Sequence, residues 1–314
     1  MSAPAPSASA ARAIRLLEID RVTAEVVDTF RDGGVRSILL KGPALARWLY
    51  DGGERGYVDC DLLVADDRID TAAELLAQLG FRRSPLDLRD DWPRHAQVYL
   101  RSGVAVDLHR TFVGADVAPS VVWREFAART TTMHVGGTDV EVPAPSARAL
   151  VVVLHAAKDG QRVDKVDRDL QRAIDRVPGD LWADAMALAQ RLGAVEAFAA
   201  GLRRIEDGAA LAGRLGLPTS LTPELAMRTR PVPPLATGIN WLVTSRGVRG
   251  KAGLVVRKLF PPPGFLRAWK PLARRGRLGL MAAYVWRPLW VAWHSVPAAV
   301  AVVRAHLRTR GRAS

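Results

Sequence analysis

Three aspartates, Asp59, Asp61 and Asp107, combine a residue type and a spacing that could do chemistry. Asp59 and Asp61 form an Asp-x-Asp inside the apolar run "GYVDCDLLV", and Asp107 lies in a second such run, "VAVDLHR". A carboxylate buried without a partner is costly, or its pKa shifts until it is neutral. Side chains alternate along a strand, so Asp59 and Asp61 share one face, about 7 Å apart, and Cys60 points to the other. Asp107 on a neighbouring strand would complete three hard oxygen donors. Such a set suits Mg, with Mn as an alternative, and fits a two-metal clamp for phosphoryl or nucleotidyl transfer. The plainer reading is that each Asp caps a helix or pairs with an arginine, and Arg47 and Arg55 are near in sequence.

The surroundings favour the chemical reading. A Lys41-Gly42 turn precedes the Asp-x-Asp, and Arg55 sits in the intervening loop. His109 follows Asp107 by two residues on the same strand face. It is a candidate base for an acceptor group or, the preferred role, a support for a carboxylate. His155 and Lys158 fall in "VVVLHAAKDG", where a satisfied core histidine and an exposed helix charge are the ordinary readings and an acceptor-side role the alternative. Lys158 and Asp169 could line the cleft from the helical side. Signatures of P-loop ATPases, zinc proteases and serine hydrolases are absent.

The elements that must position these residues follow from periodicity. Residues 11–31 carry apolar positions at helical spacing, ended by Asp32-Gly33-Gly34. "VRSILL" predicts a short strand, Pro43 the first position of a helix through Tyr50, and residues 57–64 a strand. A helix from Asp66-Asp67 to Leu79 closes at Gly80. Ser102-Gly103 and Gly136-Gly137 each predict a hairpin turn. The expected fold class is α/β (α+β): a mixed sheet flanked by helices, then a helical subdomain and a basic amphipathic helical tail. The expected organisation is a disordered lead at 1–10, an α/β core at 11–145, a helical subdomain at 146–215, a Pro-rich linker at 216–235 and a Trp/Arg-rich tail at 236–314.

"LLKGPALARWLY…ERGYVDCDLLV", with "VAVDLHR" downstream, resembles the uncharacterised nucleotidyltransferase family within the DNA polymerase β-like superfamily. The matching residues are Leu40, Lys41, Gly42, Tyr50, Arg55, Asp59 and Asp61 through Val64, and the likeness covers about residues 35–170. The resemblance implies a nucleotidyltransferase core, a Mg-NTP substrate and Asp59, Asp61 and Asp107 as metal ligands. The wider superfamily has Gly-Ser where this chain has Lys41-Gly42. Gly42 would allow close backbone approach to a phosphate. Lys41 and Arg55 would add positive charge to the triphosphate. The expected reaction moves a nucleoside monophosphate from an NTP, such as ATP, to an unidentified acceptor. By association only, that acceptor belongs to envelope-polysaccharide or other surface metabolism. The alternative is a non-catalytic nucleotide sensor or membrane-associated scaffold that kept the fold.

Charge divides the 314 residues unevenly. Residues 228–314 hold seventeen Lys or Arg and no acidic residue, leaving 28 basic against 32 acidic residues before them. Such asymmetry points to a separate module for an anionic partner. Trp286, Trp290 and Trp293 are spaced to share one helical face if Pro288 starts a helix, beside Arg and Lys clusters, as in interfacial helices. An anionic membrane surface bound through residues 228–314 is the expected partner. A spanning helix is disfavoured by Arg287, Pro288 and Pro297, packing on the protein itself is the bland alternative, and no nucleic-acid-binding motif supports a nucleic acid. The lone cysteine excludes an intrachain disulfide and suits a reducing compartment. "MSAPAPSASAARA" lacks the layout of a secretory signal, so the expected place is the cytoplasm, at its membrane face. Oligomeric state is not legible.

Overall fold

The structure, a computed structural model, describes residues 7–51, 54–85, 95–158, 164–228, 232–233, 235–244 and 248–310. Its centre is a seven-stranded mixed sheet in the order β3-β4-β5-β2-β1-β7-β6. In chain order the strands are β1 (Ser37–Leu39), β2 (Asp59–Val64), β3 (Arg82–Arg83), β4 (Ala96–Arg101), β5 (Val104–His109), β6 (Thr130–Val135) and β7 (Thr138–Pro143). The middle strands β1 and β2 are antiparallel to each other, and each has a parallel partner outside it, β7 and β5 respectively.

Both hairpin turns form where the sequence put them. Ser102 and Gly103 both have positive φ, as do Gly136 and Gly137, which is what a two-residue turn joining right-twisted strands demands. The Ser102-Gly103 turn fixes the register of β4 on β5, and hence which β4 residues share a face with Asp107.

Alternation sorts the central strands between two cores. Leu39, Cys60, Leu62, Val64, Val106 and Leu108 pack under helices α1 (Ala8–Asp32) and α3 (Ile69–Gln78), with Ile19, Val26, Phe30 and Leu76. Ile38, Leu40 and Leu63 face the other way, into a helical layer built on α5 (Pro145–Lys158). Ten of the fourteen residues of α5 are buried, so it is the axis of this layer rather than a surface helix. Around it pack α6 (Asp164–Arg176), α7 (Gly179–Arg191) and α8 (Val195–Leu202), with α9 (Glu206–Arg214) set against α6 and α8. Gly201 is required where α8 crosses α5, because a Cβ there would lie 2.1 Å from the Val153 carbonyl oxygen.

Several local expectations shift. The first helix begins at Ala8, capped by the Ser7 side chain on the Ala10 N–H, so part of the expected disordered lead is helical; residues 1–6 lie outside the described residues. The helix α2 (Pro43–Leu49) stops one residue short of Tyr50, which is extended. Asp66–Arg68 form a 3-10 turn before α3. Helix α4 (Pro119–Ala127) and strand β3 were not anticipated. The Pro-rich stretch carries α10 (Pro223–Arg228), with Leu225 and Met227 buried. Beyond it come α11 (Ala236–Thr244), α12 (Val248–Leu259), α13 (Pro263–Trp269) and the 35-residue α14 (Gly276–Arg310). That last helix does not start at Pro288 but runs through Pro288 and Pro297.

Candidate active site

The parallel pairing of β2 with β5 sets Asp61 level with Asp107 and Leu63 level with His109. All four therefore project from the sheet face turned toward α5. Ligand atoms of Asp61, Asp107 and His109 all lie within 4.8 Å of one another. Asp59, two residues back along β2 and half-buried, is not one of these three. His109 thus joins the carboxylates directly.

Asp61 is the buried centre of the group. Its Oδ1 accepts from Lys41 Nζ at 2.6 Å and meets His109 Nε2 at 2.9 Å. Its Oδ2 is buried and has no partner. Lys41 reaches it because the Leu40 N–H donates to the Asp61 carbonyl, which extends β1 by one residue and lays Lys41 beside the acid. The chain then turns at Gly42, with φ of 62° and ψ of −121°, a conformation nearly confined to glycine.

The protonation pattern follows from burial and charge. Burial opposes ionisation of Asp61, but Lys41 and then His109 outweigh it and hold the carboxyl far below its usual range. Burial likewise opposes the Lys41 charge and is outweighed, chiefly by Asp61, so its pKa is raised. Asp107 is pushed up to about 7, first by burial and then by the charges of Asp61 and Asp59. Asp59 is raised for the same reasons, burial before the Asp61 charge. Burial lowers His109, so the ring is neutral near pH 7. With Asp61 ionised, Nε2 carries the hydrogen, and Nδ1 is left as a buried acceptor with no partner. The Cys60 thiol, on the opposite face, is pushed up to about 12 by burial and is no nucleophile.

This arrangement fits a divalent cation. Among the described residues Lys41 is the one cation in contact with these carboxylates, and neither Asp59 nor Asp107 forms an ion pair. An unpartnered carboxylate oxygen at the buried centre of such a group is costly unless a ligand meets it.

The opposite wall comes from the helical layer. His155 and Lys158 of α5 line a cleft together with Lys41, His95, His109 and Phe112. The His155 pKa falls to about 3, by burial first and then the Lys41 charge, so it is a neutral group. His95 lies with its ring centre 5.7 Å from that of His109. It escaped sequence reading, and the one signal for it was its place just before β4, opposite the Asp107 strand. Lys165 of α6 also escaped notice; burial, then Arg55, lowers its pKa, while Asp169 and Asp59 attract it.

Arg55 is committed elsewhere than to the cleft. Its guanidinium is buried, with Nε 2.8 Å from Asp169 Oδ1 and Nη2 2.8 Å from Asp169 Oδ2, and Nη1 donates to the Gly42 carbonyl at 3.4 Å. The Tyr50 hydroxyl donates to the same carboxylate at 2.7 Å. One fork therefore ties the loop before β2, the Lys41-Gly42 turn and α6 together. Asp169 is likewise buried in this pair.

A family model described as an uncharacterised nucleotidyltransferase matches residues 7–207, well over half of the chain. The protein belongs to this nucleotidyltransferase family. No curated protein matches it. Among solved structures it is similar to the antibiotic-resistance factor ANT(2'')-Ia, at 12% identity and a TM-score of 0.41, over 58% of this chain and 96% of that one. A nucleotidyltransferase-like antigenic protein from Paracoccidioides brasiliensis gives 17% identity and a TM-score of 0.35, over 58% and 94%. The matched span of this nucleotidyltransferase runs from α1 through the start of α9 and contains every residue of the cleft described above. It ends well before the basic tail, so the family says nothing of α10 to α14.

Proposed function

We propose that this nucleotidyltransferase is Mg-dependent, with Mn able to replace Mg, and moves a nucleoside monophosphate from an NTP to a hydroxyl or phosphate acceptor. The observation that carries the proposal is the meeting of Asp61, Asp107 and His109 around an unpartnered carboxylate oxygen. Asp61 and Asp107, with Asp59 beside them, would hold the ion. When bound, the ion would supply charge that stabilises the phosphoryl oxygens and lowers the acceptor's pKa.

In the transfer, an acceptor oxygen attacks the α-phosphorus, the bond to the β-phosphate oxygen breaks, and pyrophosphate leaves. Lys41 holds Asp61 ionised and sets a positive charge beside the departing phosphates. Gly42 lets the backbone come close to them. His109 fixes the direction of the Asp61 carboxylate. Arg55 acts through Gly42, as a positioning residue for the turn. The cleft wall of His95, His155 and Lys158 faces the acceptor, and the neutral His155 imidazole there can take a hydrogen bond from its hydroxyl. The proposed setting is the cytoplasm at an anionic membrane face, where acceptors for surface polysaccharides are assembled.

The test uses NTPs labelled at the α-phosphate, incubated with the protein and cell lysate, with and without Mg. Transfer of label that requires Mg and is lost in Asp59→Ala and Asp107→Asn supports the enzyme. Nucleotide binding with no transfer to any lysate component supports instead a sensor that kept the fold.

A further inference from the structure

Helix α14 has two unlike sides. On one side Ala283, Arg287, Ala298 and Val302 are buried against α10, α11, α13 and the Pro271–Arg274 turn. On the other, an apolar side chain stands exposed at every third or fourth residue from Leu278 through Val285, Leu289, Trp293 and Val300 to Leu307. Leu278 and Trp293 are each 81% exposed. At 1.5 Å per residue this stripe runs about 44 Å, and its mean spacing keeps it on one face of a straight helix. It holds ten of the nineteen large apolar side chains that the described residues leave exposed, which is more than ordinary surface scatter.

The buried side shows that the stripe is not a spanning segment. Arg287 lies inside the tail, its guanidinium carbon 4.5 Å from the Trp269 ring centre and 4.8 Å from that of Trp290, while its Nε donates to the Lys258 carbonyl. Trp290 is therefore held inward by Arg287 and Trp269, and Trp286 and Trp293 are the exposed pair. No helix among the described residues is long and apolar enough to cross a membrane.

Charge selects the occupant. Arg277 and Arg304, both exposed, sit near the two ends of the stripe, and Arg274 and Arg275 are exposed just ahead of it. No carboxylate occurs anywhere from residue 228 on. A second copy of the chain would bring two wholly cationic tails together, whereas an anionic bilayer surface offers apolar depth and complementary charge at once. We propose that α14 lies in the plane of an anionic membrane, with the Leu278–Leu307 stripe at the acyl boundary and the flanking arginines on lipid phosphates. The surface stands apart from the catalytic cleft and does not depend on how that cleft is read.

The test is flotation of the full chain with phosphatidylcholine vesicles, with and without phosphatidylglycerol, beside a Leu289→Glu/Trp293→Glu variant. Both replaced side chains are exposed, so far-ultraviolet circular dichroism and a melting curve should match the parent. The expected result is flotation on the anionic vesicles with tryptophan fluorescence shifted to the blue, weakened about tenfold by salt or by neutral lipid, and lost in the variant. Three results would overturn the proposal: no flotation on anionic vesicles, flotation that the variant retains, or a lipid-free dimer that the variant dissociates. A gel shift with RNA from a chain that ignores vesicles would overturn it as well, in favour of a nucleic acid.

Discussion

The catalytic body and the C-terminal tail handle charge in opposite ways. In the body, buried charges are matched within the fold: Asp61 with Lys41, and Arg55 with Asp169, at 2.6 and 2.8 Å. In the tail, seventeen cations have no carboxylate of their own, and the apolar face beside them is left in water. One buried cation, Arg287, is matched there by aromatic rings and a backbone carbonyl instead of an acid. Among the described residues the body leaves a few buried polar atoms without a partner, Asp61 Oδ2 and His109 Nδ1 among them, and a small ion can satisfy that carboxylate oxygen. The tail is incomplete along its whole length, which calls for an extended partner.

Breaking a body pair should have the largest effect. Asp169→Ala leaves the Arg55 guanidinium buried and unpaired, and unfolding in urea should show a loss of about 3–5 kcal/mol. A loss near zero would mean that water reaches Arg55 freely and the fork does not brace the Gly42 turn.

The next effect is a pH dependence in the unloaded protein. The Asp107 pKa is about 7 when folded, above the ordinary carboxylate value expected when unfolded. The unfolded chain therefore binds fewer protons between about pH 4 and 7. Its contribution to stability is full below about pH 4 and is lost as pH rises through 7, with a slope of at most about 1.4 kcal/mol per pH unit. Asp107→Asn should remove that slope, and added Mg should flatten it in the parent by favouring the ionised form. Melting curves across this range check both.

The tail should give the smallest change in stability. Arg304→Gln removes an exposed cation that forms no ion pair among the described residues, and its effect on unfolding should stay within about 0.5 kcal/mol. Flotation on anionic vesicles, in contrast, should weaken. A large stability loss would show that the tail's cations serve the fold, and the contrast between the two regions would fail.

The sequence carried the sheet and its acids well because their signals are local. Asp-x-Asp in an apolar run and two Gly-containing hairpin turns fix face and register without knowledge of anything distant. That is why Asp59 and Asp61 could be placed on one face, and Asp107 on a strand of its own, before any coordinates; the parallel pairing of β2 with β5 that sets Asp61 level with Asp107 is not local. What could not be read are pairings across long separations. Arg55 lies 114 residues from Asp169, and nothing near either one announces the other. Asked to choose a partner for Arg55, a sequence reading turns to phosphate; the fold turns it to a carboxylate on α6. His95 was missed although the hairpin that brings it back beside His109 was legible, because nothing at the strand's start marks it as lining a cleft. The tail shows the reverse error in detail. Pro288 reads as a helix start, yet packing on α11 and α13 carries the helix straight through it, with Trp290 turned inward.

The account depends most on Asp61 and Asp107, with Asp59 beside them and His109 bracing Asp61, forming an ion site. Isothermal titration of Mn and of Mg into the protein, compared with Asp107→Asn, tests this without reference to any acceptor. Asn at position 107 keeps the shape and removes a charge that burial already disfavours, so the variant should fold at least as stably as the parent. The expected result is saturable binding to the parent that releases protons near pH 7 and weakens at least about tenfold in the variant. Equal affinity in a folded variant, or no binding to either, would contradict the site.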